Sequence, residues 1–478
     1  QKKNMGEGLI ASHMTGDMYS NINVYRNVTV AAEQVTSSGE APYKIDAVLH
    51  ALVGYGKPAY LEVFEDIWRS YCDAPGKPLN IKHGDTCRKT AKSAAVATAD
   101  LIEAKDKPIF WAGVELQRQN LQEAFLSLVE KTQIEFTTSI MGKSTFSEDH
   151  PLFKGVFNGK ASPKDVYERF SKAGSKIGIG TWTTGKNLGG FNIWDDNTVL
   201  ANSSGIRVGA KFYPNMSLGA YIEELEIELL ARKEKNKYQS YDMDSVLPNR
   251  NLLRSKSNDD SEMMTFDCFF NTMTSYLRDS DTVVADAGFS LLGAQGLHRA
   301  KPNTFIAQAN WLSIGFSVPA AIGIKCAAPD QRAMVFVGDG AFQETCQAVS
   351  THHHQKQNTV VFVLDNQIYG IEQLLVNPNP FRGKDKVIYP QKDLNTVYPY
   401  NKLNNWKYSK LTDAFGGIGL EVHTISDLNH ALKTIREHED DNFIVHVHIP
   451  ETDIPHSINY RTKSAGEDEI LNPDYGFC

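Results

Sequence analysis

Apolar residues in this chain follow two rhythms. Short runs rich in branched and aromatic residues, at 58–64, 108–113, 176–179, 282–286, 334–337 and 359–364, are bounded by Gly, Pro, Asp or Asn and read as buried strands. Elsewhere apolar positions recur at helical spacing, as at Ile45, Val48, Leu49 and Leu52, and over 263–277 and 342–355. The run 334–337, the helix from Phe342 and the run 359–364 make a strand–helix–strand unit, which folds as a right-handed crossover in a parallel sheet. The alternation predicts an α/β protein in which parallel sheets are flanked by helices.

Two polar stretches break the pattern. One, rich in Gly, Pro and Lys, spans 73–89; the other, densely charged, spans 232–262. They divide the chain into blocks at 1–87, 88–232 and 263–478, with 233–262 as a linker. A length of 478 residues suits two or three domains. The net charge of −8 gives no basic footprint for nucleic acid or an anionic membrane. No apolar run reaches the roughly 18 residues of a membrane span. The six cysteines form no CxxC pair and read as scattered reduced thiols of a cytoplasmic protein.

Candidate chemistry collects at two strand ends. Gly338-Asp339-Gly340 follows one apolar run and Asp365-Asn366 follows the next, so both fall at the carboxyl edge of a parallel sheet, where such sheets bind ligands. Asp339 offers a carboxylate and Asn366 an amide oxygen, a donor set suited to Mg²⁺ shared with phosphate. The glycines let backbone approach phosphate closely, and the N-terminus of the following helix favours an anion. A rival signal is Gly180-Thr-Trp-Thr-Thr-Gly185-Lys186, which fits the phosphate-loop spacing after a strand. Asn187 stands where a cation-binding hydroxyl belongs, and Gly189-Gly190 starts a helix poorly, which argues against nucleotide binding there. His352-His353-His354 reads as a polar helix end, because consecutive helical residues cannot converge on one ion.

The Gly-Asp-Gly and Asn366 pair resembles the thiamine diphosphate signature. Glu372, in Ile368-Tyr369-Gly370-Ile371-Glu372, stands where 2-oxo acid decarboxylases keep a catalytic glutamate. Over about 8–449 the chain resembles the pyruvate/indolepyruvate decarboxylase group. The resemblance implies three domains: the remainder of a pyrimidine-binding domain, a middle structural domain and a diphosphate-binding domain. The first half of the pyrimidine domain, with the glutamate that protonates the cofactor's pyrimidine, is expected to precede Gln1. The family pattern assigns Mg²⁺ to Asp339, Asn366 and the Ile368 carbonyl, and the diphosphate region to Gly340, Ala341 and the Ser290 hydroxyl. Ile314 would wedge between the two cofactor rings while the Leu312 carbonyl accepts from the pyrimidine amine. His13 matches the second of two histidines near the reacting carbon, with Ser12 in place of the first.

The implied reaction is attack of a thiazolium ylid on a 2-oxo acid, loss of CO₂ and release of an aldehyde. Glu372 would sit by the substrate carboxylate and help protonate, with its pKa raised by partial burial. Leu291, Ile371 and Leu375 are expected to line a pocket roomy enough for branched or aromatic 2-oxo acids. In the family the cofactor lies between subunits, so a homodimer or homotetramer is implied. Two alternatives stand beside an active decarboxylase: a paralogue that binds or assembles without turnover, suggested by Ser12, and a carboligase of the acetolactate synthase type, disfavoured by His13 and Glu372.

Overall fold

All six apolar runs become strands, within two residues of the expected limits. The computed structural model describes residues 17, 19–79, 88–105, 107–214, 216–233, 263–382 and 396–462. His13 and Ser12, almost all of the 233–262 linker and the last sixteen positions of the chain lie outside the described residues. Strands β1 (Ala32–Val35) and β2 (Tyr60–Val63) form a small parallel pair. A seven-stranded sheet follows: β3 (Pro108–Ala112), β4 (Phe136–Thr138), β5 (Phe153–Val156), β6 (Ser175–Ile179), β7 (Thr198–Asn202), β8 (Gly205–Val208) and β9 (Lys211–Tyr213). Its order is β5-β4-β3-β6-β7-β8-β9, parallel except for the two hairpins that end it. A six-stranded, wholly parallel sheet is built from β10 (Asp281–Ala285), β11 (Phe305–Ala307), β12 (Arg332–Gly338), β13 (Val360–Asp365), β14 (Ile418–Val422) and β15 (Phe443–His448), in the order β11-β10-β12-β13-β15-β14.

The central strands of that sheet are apolar at nearly every position because both faces are covered. Period two sorts them cleanly. Met334, Phe336, Phe362 and Leu364 enter one core, while Val335, Val337, Val361 and Val363 enter another on the opposite face. The chain moves outward from β10 to β11 and then returns to β12, so the sheet order reverses between β10 and β12. Their carboxyl ends therefore flank a crevice at a topological switch point, the usual ligand position in open α/β sheets.

Two details depart from the sequence reading and two others add to it. The helix expected over 342–355 is two helices, Asp339–Thr345 and Ala348–His354, and the first begins directly at the Gly-Asp-Gly turn. His352 is not at a polar surface: it is fully buried, its ring nitrogens meeting the Gln357 side chain at 2.8 Å and the Val318 carbonyl at 3.0 Å. In the phosphate-loop-like stretch, the helix Gly185–Leu188 is a single turn. Asn187 is buried there and donates to the Trp182 carbonyl at 2.7 Å, so the stretch is packed as structure. The helix Ala41–Tyr55 keeps its apolar periodicity, yet only Ala41 and Val48 are buried, and Ile45, Leu49 and Leu52 remain over a third exposed.

The units carrying the two large sheets meet through buried polar groups. Asn158 Nδ2 donates to Gln295 Oε1 at 2.7 Å, the Arg299 amide to Glu148 Oε2 at 3.0 Å and the Thr304 amide to Ser144 Oγ at 2.8 Å. Arg299 is itself buried, its guanidinium donating to the carbonyls of Arg278 and Asp281 and to Thr304 Oγ1. Such fully bonded contacts fix one docking geometry, because shifting any partner orphans a buried group.

Candidate active site

Gly338 ends β12 in extended conformation and Asp339 opens the next helix, so its carboxylate is delivered at the sheet edge. Asp339 is buried. One carboxylate oxygen accepts from the Gly340 amide at 2.9 Å and the other from the Gln367 amide at 2.7 Å. The Gln367 amide also donates to Asp365 Oδ1 at 3.1 Å, so one N–H bridges two carboxyls. Gln367 has φ of 65°, the left-handed bend that lets the chain turn from the end of β13 back towards Asp339.

Burial, then the adjacent Asp365 carboxyl, pushes the Asp339 carboxyl well above its ordinary range. Asp365 moves the other way. Burial opposes its charge, but hydrogen bonds with His446 (2.7 Å) and Asp339 outweigh it and hold the carboxyl low. The two carboxyls are thus pushed in opposite directions, Asp339 towards its protonated form, which a bound cation would displace.

Asn366 follows directly. It is buried, and its Nδ2 has no hydrogen-bond partner among the described residues. A buried amide left unsatisfied costs roughly 1–3 kcal/mol, which points to a missing partner at this position. The Ile368 carbonyl accepts from the Gly370 amide at 2.8 Å and keeps its second lone pair. Carboxylate, amide and carbonyl form the all-oxygen donor set that a hard divalent cation takes, so the residues fit Mg²⁺.

Glycines set the shape of the crevice. A Cβ on Gly340 would stand 2.4 Å from the Tyr369 ring, and one on Gly370 would stand 2.4 Å from the Phe289 ring. Phe289 thereby ties the loop after β10 to the 368–372 segment. Ser290 is buried beside it, with Oγ 3.8 Å from where a Gly338 Cβ would be. The two loops of the switch point meet at this hydroxyl. Ala341 is buried in the first turn of the Asp339–Thr345 helix.

The 310–315 segment is held by a residue that the sequence reading passed over. Asp286, at the end of β10, accepts from the amides of Ala287, Gly315 and Ser317 and from Ser317 Oγ, at 2.7–3.2 Å. Leu312 takes φ of 58°, an unusual conformation for leucine, and donates its amide to Gln308 Oε1 at 2.7 Å. Leu312 and Ile314 stay 40% and 42% exposed and Trp311 83%, so this end of the crevice presents apolar side chains to the outside.

The substrate-side expectations divide. Ile371 lies half-buried next to Gly288, while Leu375, one turn on, is 54% exposed. Leu291 does not open to a pocket. The helix Phe289–Ala294 is packed on all sides, and Leu291 and Leu292 enter the main core at 1% exposure. Glu372, in the first turn of the helix Gly370–Val376, is exposed in the chain alone, so the partial burial expected of it is absent there. Gln367, Tyr369 and His446 had no role in the sequence reading, and Asp365 figured there only as part of a polar strand end. Only Asp365, adjoining Asn366, carried any local signal; His446 arrives from β15, with no motif to mark it.

Residues 286–447 match the C-terminal TPP-binding domain of thiamine pyrophosphate enzymes, and residues 96–225 match the central domain of the same enzymes. The chain is 25% identical over 452 residues to a probable pyruvate decarboxylase of Schizosaccharomyces pombe, covering 91% of this chain and 74% of the relative. It is 24% identical over 446 residues to pyruvate decarboxylase isozyme 3 of Saccharomyces cerevisiae (90% and 74% covered). It is also 24% identical over 445 residues to an alpha-keto-acid decarboxylase of Mycobacterium tuberculosis (92% and 75% covered). Among solved structures, benzoylformate decarboxylase from Polynucleobacter necessarius superposes with a TM-score of 0.68 at 15% identity, over 95% of this chain and 81% of that one, which establishes the shared fold. The two domain matches together span more than half of the sequence, and the chain belongs to the thiamine pyrophosphate enzymes, as a homologue of the pyruvate decarboxylases.

Proposed function

We propose that the protein decarboxylates a 2-oxo acid without oxidation, giving an aldehyde and CO₂, with thiamine diphosphate anchored through Mg²⁺. The observation that carries this reading is the convergence at one switch point of the Asp339–Asp365 pair and the unpartnered Asn366 amide, beside the Ser290 hydroxyl. Asp339, Asn366 and the Ile368 carbonyl would hold the cation, and Gly340, Ala341 and Ser290 the diphosphate. When bound, the cofactor supplies the carbon nucleophile and the electron sink. The chain's own residues bind and orient it: Asp286 fixes the segment whose Leu312 carbonyl and Ile314 side chain would set the ring geometry. Glu372 would hold or deliver a proton beside the substrate carboxylate, and His13 would serve the same reacting centre.

Trp311, Leu312 and Ile314 on the 310–315 segment and Leu375 and Val376 on the helix Gly370–Val376 are exposed apolar side chains, which supports a second subunit covering them. The assembly is therefore a homodimer or homotetramer, and a monomer in light scattering would oppose it. Among the described residues no helix is long and apolar enough to cross a membrane. With scattered thiols, a cytoplasmic location fits the chain best. Leu291 and Leu292 point into the core, so substrate choice would rest with Ile371, Leu375 and the covering subunit, and the candidates are pyruvate and larger branched or aromatic 2-oxo acids. Product analysis on the natural protein across pyruvate and such acids tests both statements. Equimolar CO₂ and aldehyde, lost in Glu372→Gln, support decarboxylation; acetolactate as the main product from pyruvate would make the protein a carboligase.

A further inference from the structure

Beyond the diphosphate crevice, three adjacent parallel strands bring five ligand-type side chains to their carboxyl ends. Register pairs Asp365 on β13 with His448 on β15, and Glu421 on β14 with His446 on β15. His423 lies two residues past Glu421 and so returns to the same face of the edge strand. The His423 and His448 rings stack with centroids 4.0 Å apart, and those of His446 and His448 lie 3.9 Å apart. Glu421 Oε2 lies 2.7 Å from His448 Nε2 and 3.1 Å from His446 Nδ1. That His446 nitrogen is buried and, despite the short approach, lacks hydrogen-bond geometry to any partner among the described residues.

We propose that Glu421, His423 and His448 form a second metal site, distinct from the Mg²⁺ position and suited to a borderline divalent ion of the Zn²⁺ class. One carboxylate oxygen and two imidazole nitrogens lie within 4.8 Å of one another there. Two imidazoles and a carboxylate, with a position left for water, are a donor set that Zn²⁺ takes at about 2.0–2.2 Å. His423 and Glu421 are exposed, so an ion has an entry path, and His423 would turn out of its stack on His448 to aim a nitrogen at it. An alternative inner triad of Asp365, His446 and His448 also has the spacing. Asp365, however, is already committed to His446 and Asp339, which leaves the outer triad as the site.

The supporting shell is present. Ser409 Oγ donates to Glu421 Oε1. The His423 amide donates to Asp427 Oδ2 at 3.1 Å, and its carbonyl accepts from Met264 at 3.0 Å, pinning the ligand-bearing backbone. The ionisation states also suit ligation. Burial, outweighing the hydrogen bond to Glu421, lowers His448 towards neutral imidazole. Burial opposes charge on Glu421, but hydrogen bonds from Ser409 and His448 outweigh it and keep the carboxylate ionised. Oxygen donors at Asp339 and nitrogen donors here sort hard from borderline cations.

The test uses the natural protein stripped with EDTA, reloaded with Mg²⁺ and thiamine diphosphate, and titrated with Co²⁺ and then Zn²⁺. Metal content and the visible d–d bands of Co²⁺ are the readouts. The expected result is one Zn²⁺ bound per chain beyond Mg²⁺, Co²⁺ bands of a site with nitrogen ligands, and affinity falling by at least about 100-fold in His423→Ala. His354→Ala, an exposed histidine on another helix, leaves binding unchanged. Glu421→Gln also removes partners of Ser409 and His446, so the exposed His423 is the deciding position. Absence of Zn²⁺ uptake, or uptake by His423→Ala as tight as wild type, overturns the proposal.

Discussion

Replacing Asp339 with Asn separates the structural role of this side chain from its role as a ligand. In the unliganded chain, burial and the Asp365 carboxyl favour the protonated form of Asp339, and an amide is a close stand-in for a neutral carboxyl. The Asn oxygen accepts from the Gly340 amide and its NH₂ donates to Asp365. One acceptance is lost, from the Gln367 amide at 2.7 Å, and that amide retains Asp365 Oδ1 at 3.1 Å. The net change in unliganded stability is therefore within about 1 kcal/mol, the worth of a single hydrogen bond. Ligand binding should respond differently, because Asp339 is the only charged group among the three expected cation ligands. At a ligand concentration one hundred times Kd, binding stabilises the fold by about 2.7 kcal/mol, or roughly 5–10 °C in Tm for a domain of ordinary size. Differential scanning fluorimetry of wild type should show that rise when Mg²⁺ and thiamine diphosphate are added, whereas Asp339→Asn starts at nearly the same Tm and stays flat. If the variant melts far below wild type without ligand, the protonated reading of Asp339 is wrong; if it gains the same increment with ligand, Asp339 is not a cation ligand.

Other expectations follow from burial and charge elsewhere. Asp453 is raised from 3.8 to about 6, first by burial and then, against a hydrogen bond from the Phe266 amide, by the Asp267 charge. The folded chain thus keeps a proton that the unfolded chain releases, so this contribution is full below about pH 4 and disappears as pH rises through about 6. It amounts to at most about 3 kcal/mol. Because an amide stands in for the neutral carboxyl, Asp453→Asn should match wild type in urea melts below about pH 4 and become the more stable of the two as pH rises through about 6; a wild type that gains on the variant with rising pH would reverse the assignment. Arg299→Met strips the donors from the buried Asp281 carbonyl, the part-buried Arg278 carbonyl and Thr304 Oγ1. Denaturant unfolding should show a loss of about 3 kcal/mol, and one under 1 kcal/mol would mean that water replaces the guanidinium at these groups. Ile314→Ala removes a side chain that is 42% exposed, so unliganded stability should change by no more than about 0.5 kcal/mol while kcat/KM falls; a matching loss of stability would make Ile314 a core residue instead.

The sheet containing the site was legible because its central strands are buried on both faces. Continuous apolar runs such as 334–337 and 359–364 leave little room for another reading, and the Gly-Asp-Gly turn and Asp365-Asn366 sit directly at their ends. Side-chain direction was less legible. Leu291 and Leu375 are both leucines near the crevice, yet one enters the core and the other faces outward, a distinction set by how the helices Phe289–Ala294 and Gly370–Val376 dock. His352 misled for the same reason: three adjacent histidines read as a polar end, while Gln357 and the Val318 carbonyl draw the first of them inside. The contacts that arm Asp339 were invisible because they cross strands. Asp365 is brought within hydrogen-bonding reach by the β12–β13 register, and His446 by β15, which pairs with β13 although β14 lies between them in the chain.

The most direct test of the proposed cofactor anchor is a crystal structure of the natural protein with thiamine diphosphate and Mn²⁺, read by anomalous scattering. The expected result is a metal peak ligated by Asp339, Asn366 and the Ile368 carbonyl at about 2.2 Å, bridged to a diphosphate lying against Gly340 and Ser290. A cofactor bound elsewhere, or a metal peak that leaves Asp339 and Asn366 unligated, would contradict it.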